Sequence, residues 1–367
     1  MRNLKQIKNL PRLGKAGIKG KTVIVRVDFN VPIKDGKVED DFRIRTALPT
    51  INFLLGKGAK LILITHLGKD GTESLKPVID RFFAISKIAR DQVTFFENIR
   101  KFPGEIKNDP AFAKELSKMG DIYVNEAFSV SHREQASVVL LPKLLPSYAG
   151  FQLEKEVKNL SRAFKSPLHP FLFILGGAKF STKMPLIKKY LKLADQVFIG
   201  GALANDFLLA SGCEVGKSLV DESNYDIGKI LKNKKLILPV DVVVKKVTNP
   251  ATAEFVTKKV NEICKDEIIL DVGSQTVKNL SLIIKKSKLI LWNGPLGKYE
   301  EGGAKSTEEV LKLVAQSKAE SIIGGGDTVD LISKMKMEKK FSFVSTGGGA
   351  TLDFLVNGTL PGIKALK

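Results

Sequence analysis

The chain has 367 residues, 43% of them hydrophobic, with a mean hydropathy near zero, which suits two domains with sizeable cores and leaves no apolar run of the ~20 residues that cross a bilayer. Two cysteines, Cys213 and Cys264, argue against a disulfide framework, and three scattered histidines, His66, His132 and His169, argue against a zinc spacing. The net charge of +20 admits a nucleic acid or an anionic small molecule as partner, but aromatics are only 7% and no basic run is interleaved with them, which disfavours a dedicated nucleic-acid module.

The N-terminal stretch MRNLKQIKNLPRLGKAGIKGKT lacks the apolar core and small-residue cleavage site of a secretory signal, so a cytoplasmic protein is expected. The strand-like KTVIVRVDF follows at once, then the helix-like FRIRTALPTINFLLGKG, then AKLILITHLG, DQVTFFEN and GDIYVNEAF. The segment 150–170, GFQLEKEVKNLSRAFKSPLHP, has apolar residues at helical spacing and ends in prolines, which predicts a helix linking two domains. Beyond it come HPFLFILGGAK, LADQVFIGGALAN, KLILPVDVVV, KLILWNGP, AESIIGGG and KFSFVSTGGG. Short apolar strands alternating with amphipathic helices predict parallel sheets covered on both faces, in two α/β domains whose strand ends could face a common cleft.

In the first half, polar residues gather at the ends of the strand-like runs: Asp28 and Asn30, then His66, then Asn98 and Arg100, then Glu126, with Arg43 and Arg133 close behind such ends. Ligands of open parallel sheets sit at the carboxyl ends of strands. Arginine can grip phosphate or carboxylate through two parallel hydrogen bonds, and every arginine of the chain lies at or before Arg162. The set predicts a site for a small phosphorylated carboxylate, with Asp28 and Asn30 fixing a hydroxyl or orienting the arginines. Arg26, Asp28 and Asn30 could instead do no more than cap a strand, and His66 taken alone reads as a packed histidine. The convergence of four strand ends favours the site.

The second half reads as a nucleotide site. LGGAKFSTK places Lys179 and Lys183 four residues apart, which sets both ammonium groups on one helix face, where they could act on phosphate oxygens or be plain surface lysines. FIGGALAN and LDVGS supply Gly201 and Gly273 at strand ends, where a flat base could slide in, and WNGPLGKYE offers Asn293 and Glu300, the latter for ribose hydroxyls. ESIIGGGDTVDLI and FSFVSTGGGATLDFL each run strand, three glycines, helix start. Such a junction suits a phosphate at the helix N-terminus, or tight strand-to-helix packing. Asp327, behind the first triplet, is a candidate Mg²⁺ ligand or helix N-cap. GCEVGKS is one residue short of a Walker loop, and GGGDTV has Val329 where a dinucleotide motif needs its last glycine.

Nine segments resemble, in order, those of the phosphoglycerate kinase family: RVDFNVP, THLG, ENIR, HREQAS, GFQLEKE, LGGAKFSTK, WNGPLG, GGGDT and STGGGATLDFL. The resemblance extends over almost the whole chain. It implies two Rossmann-like parallel-sheet domains with a cleft between them: 1–150 for 3-phosphoglycerate and 166–356 for the nucleotide, joined by a linking helix at 151–165, with a tail, 357–367, that returns to the first domain. It implies that Asp28, Asn30, Arg43, His66, Lys69, Arg100 and Arg133 hold the acid. Lys179, Lys183, Glu300, Gly325, Gly326, Asp327 and Thr328 would hold Mg-ATP. Gly347, Gly348 and Gly349 would present N–H groups to the phosphoryl group in flight, with Arg43 and Lys183 as further catalytic groups. Lys69 stands where the family usually has arginine, Ala202 where it has a third glycine, and Lys298-Tyr299 where it has an apolar pair.

The function expected is reversible in-line phosphoryl transfer between ATP and the carboxylate of 3-phosphoglycerate, by a hinge-bending monomer with Mg²⁺ as cofactor and no specific nucleic acid or membrane partner. The rival readings are a kinase of the same fold for another carboxylate and a basic nucleic-acid-binding protein that has lost turnover.

Overall fold

Continuous β-branched and leucine-rich runs such as TVIVR and FLFIL are buried along nearly their whole length, as strands covered on both faces must be. The computed structural model describes residues 10–221, 227–246 and 255–366; residues 1–9, on which the reading of the N-terminal leader rests, and Lys367 of the tail lie outside the described residues. The chain divides into two compact units, one of residues 1–158 with 357–367, the other of residues 159–356.

The first unit holds a five-stranded sheet in the order Val93–Phe95, Lys60–Ile64, Thr22–Arg26, Ile122–Asn125, Ser147–Ala149, every pairing parallel. The central strand pairs Val23 with Leu61 on one side and with Ile122 on the other. Numbered along the chain, the order is 3-2-1-4-5, so the connections reverse direction between Thr22–Arg26 and Ile122–Asn125. In open α/β sheets that reversal leaves a crevice at the carboxyl ends. The main core lies between this sheet and the helices Phe42–Gly56 and Lys76–Ser86 and includes Phe29, Ile51, Leu54, Val78 and Phe82.

The second unit holds six parallel strands in the order Leu236–Ile237, Gln196–Ile199, Phe171–Leu175, Leu289–Asn293, Glu320–Gly324, Phe343–Val344. This is the 3-2-1-4-5-6 order of a Rossmann sheet, with its reversal between Phe171–Leu175 and Leu289–Asn293. The all-parallel expectation does not extend to the rest of this unit. Asp241–Lys246 forms an antiparallel sheet with Val256–Lys259 and Glu267–Val272. The physical reason is a break in KLILPVDVVV: the chain leaves the main sheet after Ile237, and Asp241 begins a new strand while its carboxylate accepts the N–H groups of Gln275 and Thr276 at the start of the helix Ser274–Lys286.

The helix Phe151–Lys165 runs through the division between the units. Its start is fixed from the first unit: Thr50 Oγ1 accepts the Phe151 N–H at 2.9 Å, and the buried Glu126 carboxylate accepts the Gln152 N–H at 3.1 Å. Burial pushes the Glu126 carboxyl well up, against the bonds from Thr50 and Gln152. Glu126 therefore serves this helix start and not the ligand set to which its strand-end position pointed. At the other end of the chain the helix Pro361–Lys364 seats Ala365 among Ala127, Val130, Val138 and Val139, and the Gly362 N–H donates to Ser131 O at 2.8 Å. A side chain at Gly362 would stand 2.7 Å from Val138 Cγ1. We expect Gly362→Ala to lower the stability of the first unit by about 1–3 kcal/mol, the usual cost of overpacking, seen as an earlier urea midpoint. An unchanged midpoint would contradict this seating of the tail.

Candidate functional site

At the carboxyl end of Thr22–Arg26 the chain turns through Asp28 and Asn30. The Asp28 carboxylate accepts hydrogen bonds from Arg43, from Ser129 Oγ and from the Asn30 N–H. Burial alone would raise this carboxyl; Arg43, His66, Ser129 and the Asn30 N–H outweigh it and hold it at about 2. Asn30 Oδ1 accepts the Gly68 N–H at 2.9 Å, which pins the loop after Lys60–Ile64 and leaves the Asn30 amide N–H groups for a ligand.

His66, only 3% exposed, sits at the end of that neighbouring strand. Burial first, then Arg26, Arg100 and Arg133, lower its pKa to about 3 against the opposing pull of Asp28. Arg100 donates to Gly68 O through Nη1, while its Nη2 is buried without a partner. Burial, Arg133 and Arg26 depress its pKa. Arg133 is exposed; its backbone N–H donates to Val130 O at 2.9 Å, and its guanidinium makes no hydrogen bond or ion pair with another described residue. Guanidinium groups of Arg26, Arg43, Arg100 and Arg133 thus act on this end of the sheet, against the carboxylates of Asp28 and Glu105 and that of Glu73 beside Gly68, so positive charge predominates around His66. Such a cluster suits a ligand with more than one negative charge.

Asn98 does not join it. Its side chain is spent on Leu67 N and O and on Glu73 O, so it holds two loops together. Lys69 is exposed in a loop closed by Asp70, whose carboxylate accepts Thr72 N–H and Oγ–H. Ser129, which fixes Asp28 from a different strand end, carries no local sequence signal beyond its place in EAFSVSHR.

In the second unit the glycines at the reversal point are there for close approach of backbone to backbone. A Cβ on Gly176 would collide with Pro295 O, and one on Gly294 with Gly176 O. Gly177, at φ +85°, leaves the space that Lys183 Nζ occupies. The helix starts at Phe180, so Lys179 is an exposed N-cap residue with extended backbone, whereas Lys183 lies inside the first turn, 7% exposed, and donates to Gly176 O. Burial, with Lys179 in the same sense and Asp327 opposing, lowers the Lys183 ammonium to about 8.

A cavity of about 300 Å³ opens beside these groups. Its apolar walls come from Leu208, Leu219, Pro239, Val242, Ile269 and Leu296, and Gly201, Glu300 and Asp327 lie on its rim. Its size and apolar character fit a flat heterocycle. Gly273 is not among the lining residues; it packs against the Asp241 carboxylate, where any side chain would collide.

Both triplet junctions form. Glu320–Gly324 leads through Gly325 (φ +101°) into the helix Gly326–Lys334, and Phe343–Val344 leads through Gly347 and Gly348 (φ +53°) into Gly349–Asn357. The two strands are parallel neighbours, so two helix N-termini lie side by side at one end of the sheet. Asn293 Nδ2 and Thr328 Oγ1 are buried there without partners. Asp327, in the first turn, is exposed and accepts no hydrogen bond from another described residue, which fits a carboxylate reserved for a cation. The described residues hold no group of three or more His, Cys, Asp or Glu fit for a metal. A single carboxylate suits Mg²⁺, which takes most of its ligands from phosphates and water.

Two groups should make stability acid-sensitive. Folded His66 stays neutral down to about pH 3, while the unfolded chain takes up a proton near 6.5, so in that window the unfolded state binds more protons and stability falls with pH. Asp28 repeats the pattern between 3.8 and about 2. His66→Gln should therefore lose less stability than the wild type between about pH 7 and about pH 4.5, measured as urea midpoints. Equal losses would contradict a neutral, buried His66.

The phosphoglycerate kinase family model matches residues 13–84 and 82–358. A phosphoglycerate kinase of Wolbachia sp. subsp. Drosophila simulans is 40% identical, the match covering 98% of this chain and 99% of that protein. One of Herpetosiphon aurantiacus is 42% identical, covering 95% and 96%. Among solved structures, phosphoglycerate kinase from Coxiella burnetii has a TM-score of 0.84 at 35% identity, covering 97% of this chain and 98% of that one. The enzyme from Pyrococcus horikoshii has the same TM-score at 30% identity, with the same coverage. Matched along its length in sequence and in fold, the chain belongs to the phosphoglycerate kinase family.

Proposed function

We propose that the protein catalyses reversible phosphoryl transfer between Mg-ATP and the carboxylate of 3-phosphoglycerate, giving ADP and 1,3-bisphosphoglycerate. The observation that supports this most is the uncompensated charge at the strand ends of the first unit, with a buried, unbonded Nη2 on Arg100. An acid with a phosphate at one end and a carboxylate at the other supplies the missing anions. Arg100, Arg133 and the exposed Lys69 would take the phosphate, and Asp28 and Asn30 the hydroxyl. Arg43, already oriented by Asp28, would face the reacting carboxylate.

On the second unit the base would enter the apolar cavity with the ribose at Glu300, and Gly201 would pass close to it. The phosphates would run to Lys179 and Lys183, Asn293, Thr328 and the helix start at Gly325 and Gly326. Asp327 would hold the Mg²⁺, which when bound neutralises charge on the phosphate oxygens. The glycine at 273 would act at a distance, by shaping the cavity wall.

The acceptor carboxylate is already an anion at neutral pH, so no general base is required. One of its oxygens forms a bond to the γ-phosphorus, the bond from that phosphorus to the β–γ bridging oxygen breaks, and the electron pair leaves with ADP. Lys183, Arg43 and the N–H groups of Gly347, Gly348 and Gly349 meet the charge that spreads over the peripheral oxygens. Acid and nucleotide are bound by different units, so we take transfer to depend on a hinge movement about Phe151–Lys165. We place the protein in the cytoplasm as a monomer, without a specific nucleic acid or membrane partner; the two free cysteines suit a reducing compartment.

A coupled assay with ATP, Mg²⁺ and 3-phosphoglycerate tests the reading; no turnover with this acid would overturn it. Lys183→Ala should lower turnover by about two orders of magnitude or more, because a preorganised charge is removed from the transition state, while 3-phosphoglycerate still binds. Near-normal turnover would reject the role given to Lys183.

A further inference from the structure

Behind the first unit's site lies a chain of buried polar groups that transfer itself does not use. Arg26 is 1% exposed. Its Nε donates to Ser137 Oγ at 3.0 Å, and its Nη1 donates to Val27 O at 2.6 Å. Ser137 is held in turn by Glu105, which is fully buried: Oγ–H donates to Oε1 at 2.6 Å and N–H to Oε2 at 2.8 Å. The Tyr123 hydroxyl donates to Ser137 O at 2.8 Å. The guanidinium is therefore held through two of its nitrogens, Nε and Nη1, and the third, Nη2, lies 3.5 Å from His66 Nδ1.

A guanidinium has no lone pair to offer and can only donate. A hydrogen bond across this 3.5 Å contact therefore requires His66 Nδ1 to be the acceptor, without a proton of its own. A neutral imidazole then carries its proton on Nε2. His66 Nε2 bonds to no other described residue and is not sealed from solvent, so it is the edge of the ring that a ligand can reach. We propose that Arg26, anchored by Ser137 and Glu105, is a positioning residue that fixes His66 as the Nε2–H tautomer and so presents the acid substrate with a neutral hydrogen-bond donor. The other charged groups acting on the ring are Asp28, Arg100 and Arg133. The three arginines oppose a proton on Nδ1, and Asp28 alone favours the imidazolium. Burial adds to the arginines, which agrees with a ring that stays neutral.

The proposal rests on the reading of this site as that of the acid substrate, but its first test does not need the substrate. In ¹⁵N-labelled full-length protein near neutral pH, long-range ¹H–¹⁵N spectra of His66 should show Nε2 protonated and Nδ1 bare. A protonated Nδ1 in the wild type overturns the proposal, whether or not the enzyme turns over 3-phosphoglycerate. Arg26→Leu should then yield a mixed tautomer and raise KM for 3-phosphoglycerate by roughly tenfold, with KM for ATP unchanged; Arg26→Lys, which keeps a donor, should restore most of both. If Arg26→Leu fails to fold, Ser137→Ala removes the anchor and leaves the guanidinium; it should shift the tautomer partly and raise the same KM. Unchanged tautomer and unchanged KM in the variants would contradict the role. Absence of any 3-phosphoglycerate turnover with the Nε2–H tautomer intact would count against the functional reading alone.

Discussion

The chemistry of the first unit depends on one electrostatic imbalance. Arg26, Arg43, Arg100 and Arg133 converge on the end of a parallel sheet and outnumber the carboxylates of Asp28, Glu105 and Glu73 that lie among them. The rest follows in order. Asp28 is held as a strong acid although it is buried, because losing its charge would leave Arg43 facing other cations. His66 stays neutral, first because it is buried and then because Arg26, Arg100 and Arg133 oppose a proton there. Arg100, with one nitrogen bonded to Gly68 O and another buried without a partner, waits for an acceptor that the protein does not supply. A buried donor without a partner costs about 1–3 kcal/mol, and an anionic ligand recovers that cost on binding.

The second unit solves a different problem, that of bringing polyanion and backbone together. Its glycines crowd strand ends against one another at the reversal of the sheet, and the room left at Gly177 is filled by the ammonium of Lys183. Two parallel neighbouring strands then deliver two helix N-termini to the same edge. A helix start attracts phosphate through its free N–H groups and its dipole, and two of them side by side suit a chain of phosphates. The repeated strand–triplet–helix pattern is thus a single surface built twice.

Much of this was legible in the sequence because it is local. Strand runs, the triplet junctions, the linking helix and the arginine-bearing strand ends all announce themselves within a dozen residues. What was not legible depends on distant partners. Nothing near Ser129 says that its hydroxyl will meet Asp28, and nothing near Ser137 says that it will join Arg26 to Glu105. Glu126 and Asn98 stand at strand ends like ligands, yet the fold spends them on a helix start and a loop. The spacing of Lys179 and Lys183 suggests equivalence, but a helix that starts at Phe180 makes one an exposed cap and buries the other. Gly273 reads as a ligand-facing glycine and is required instead by a carboxylate 32 positions earlier, that of Asp241.

The central claim is that uncompensated positive charge at the strand ends of the first unit binds the acid substrate. Calorimetric titration of 3-phosphoglycerate into the protein over a range of ionic strength tests it most directly. Charge-driven binding at a partly exposed site is screened by salt. The account predicts an affinity that falls steadily as salt rises, and a weaker dependence in Arg133→Met, whose guanidinium is the most exposed of the four. An affinity indifferent to salt, or a dependence unchanged in that variant, would contradict it.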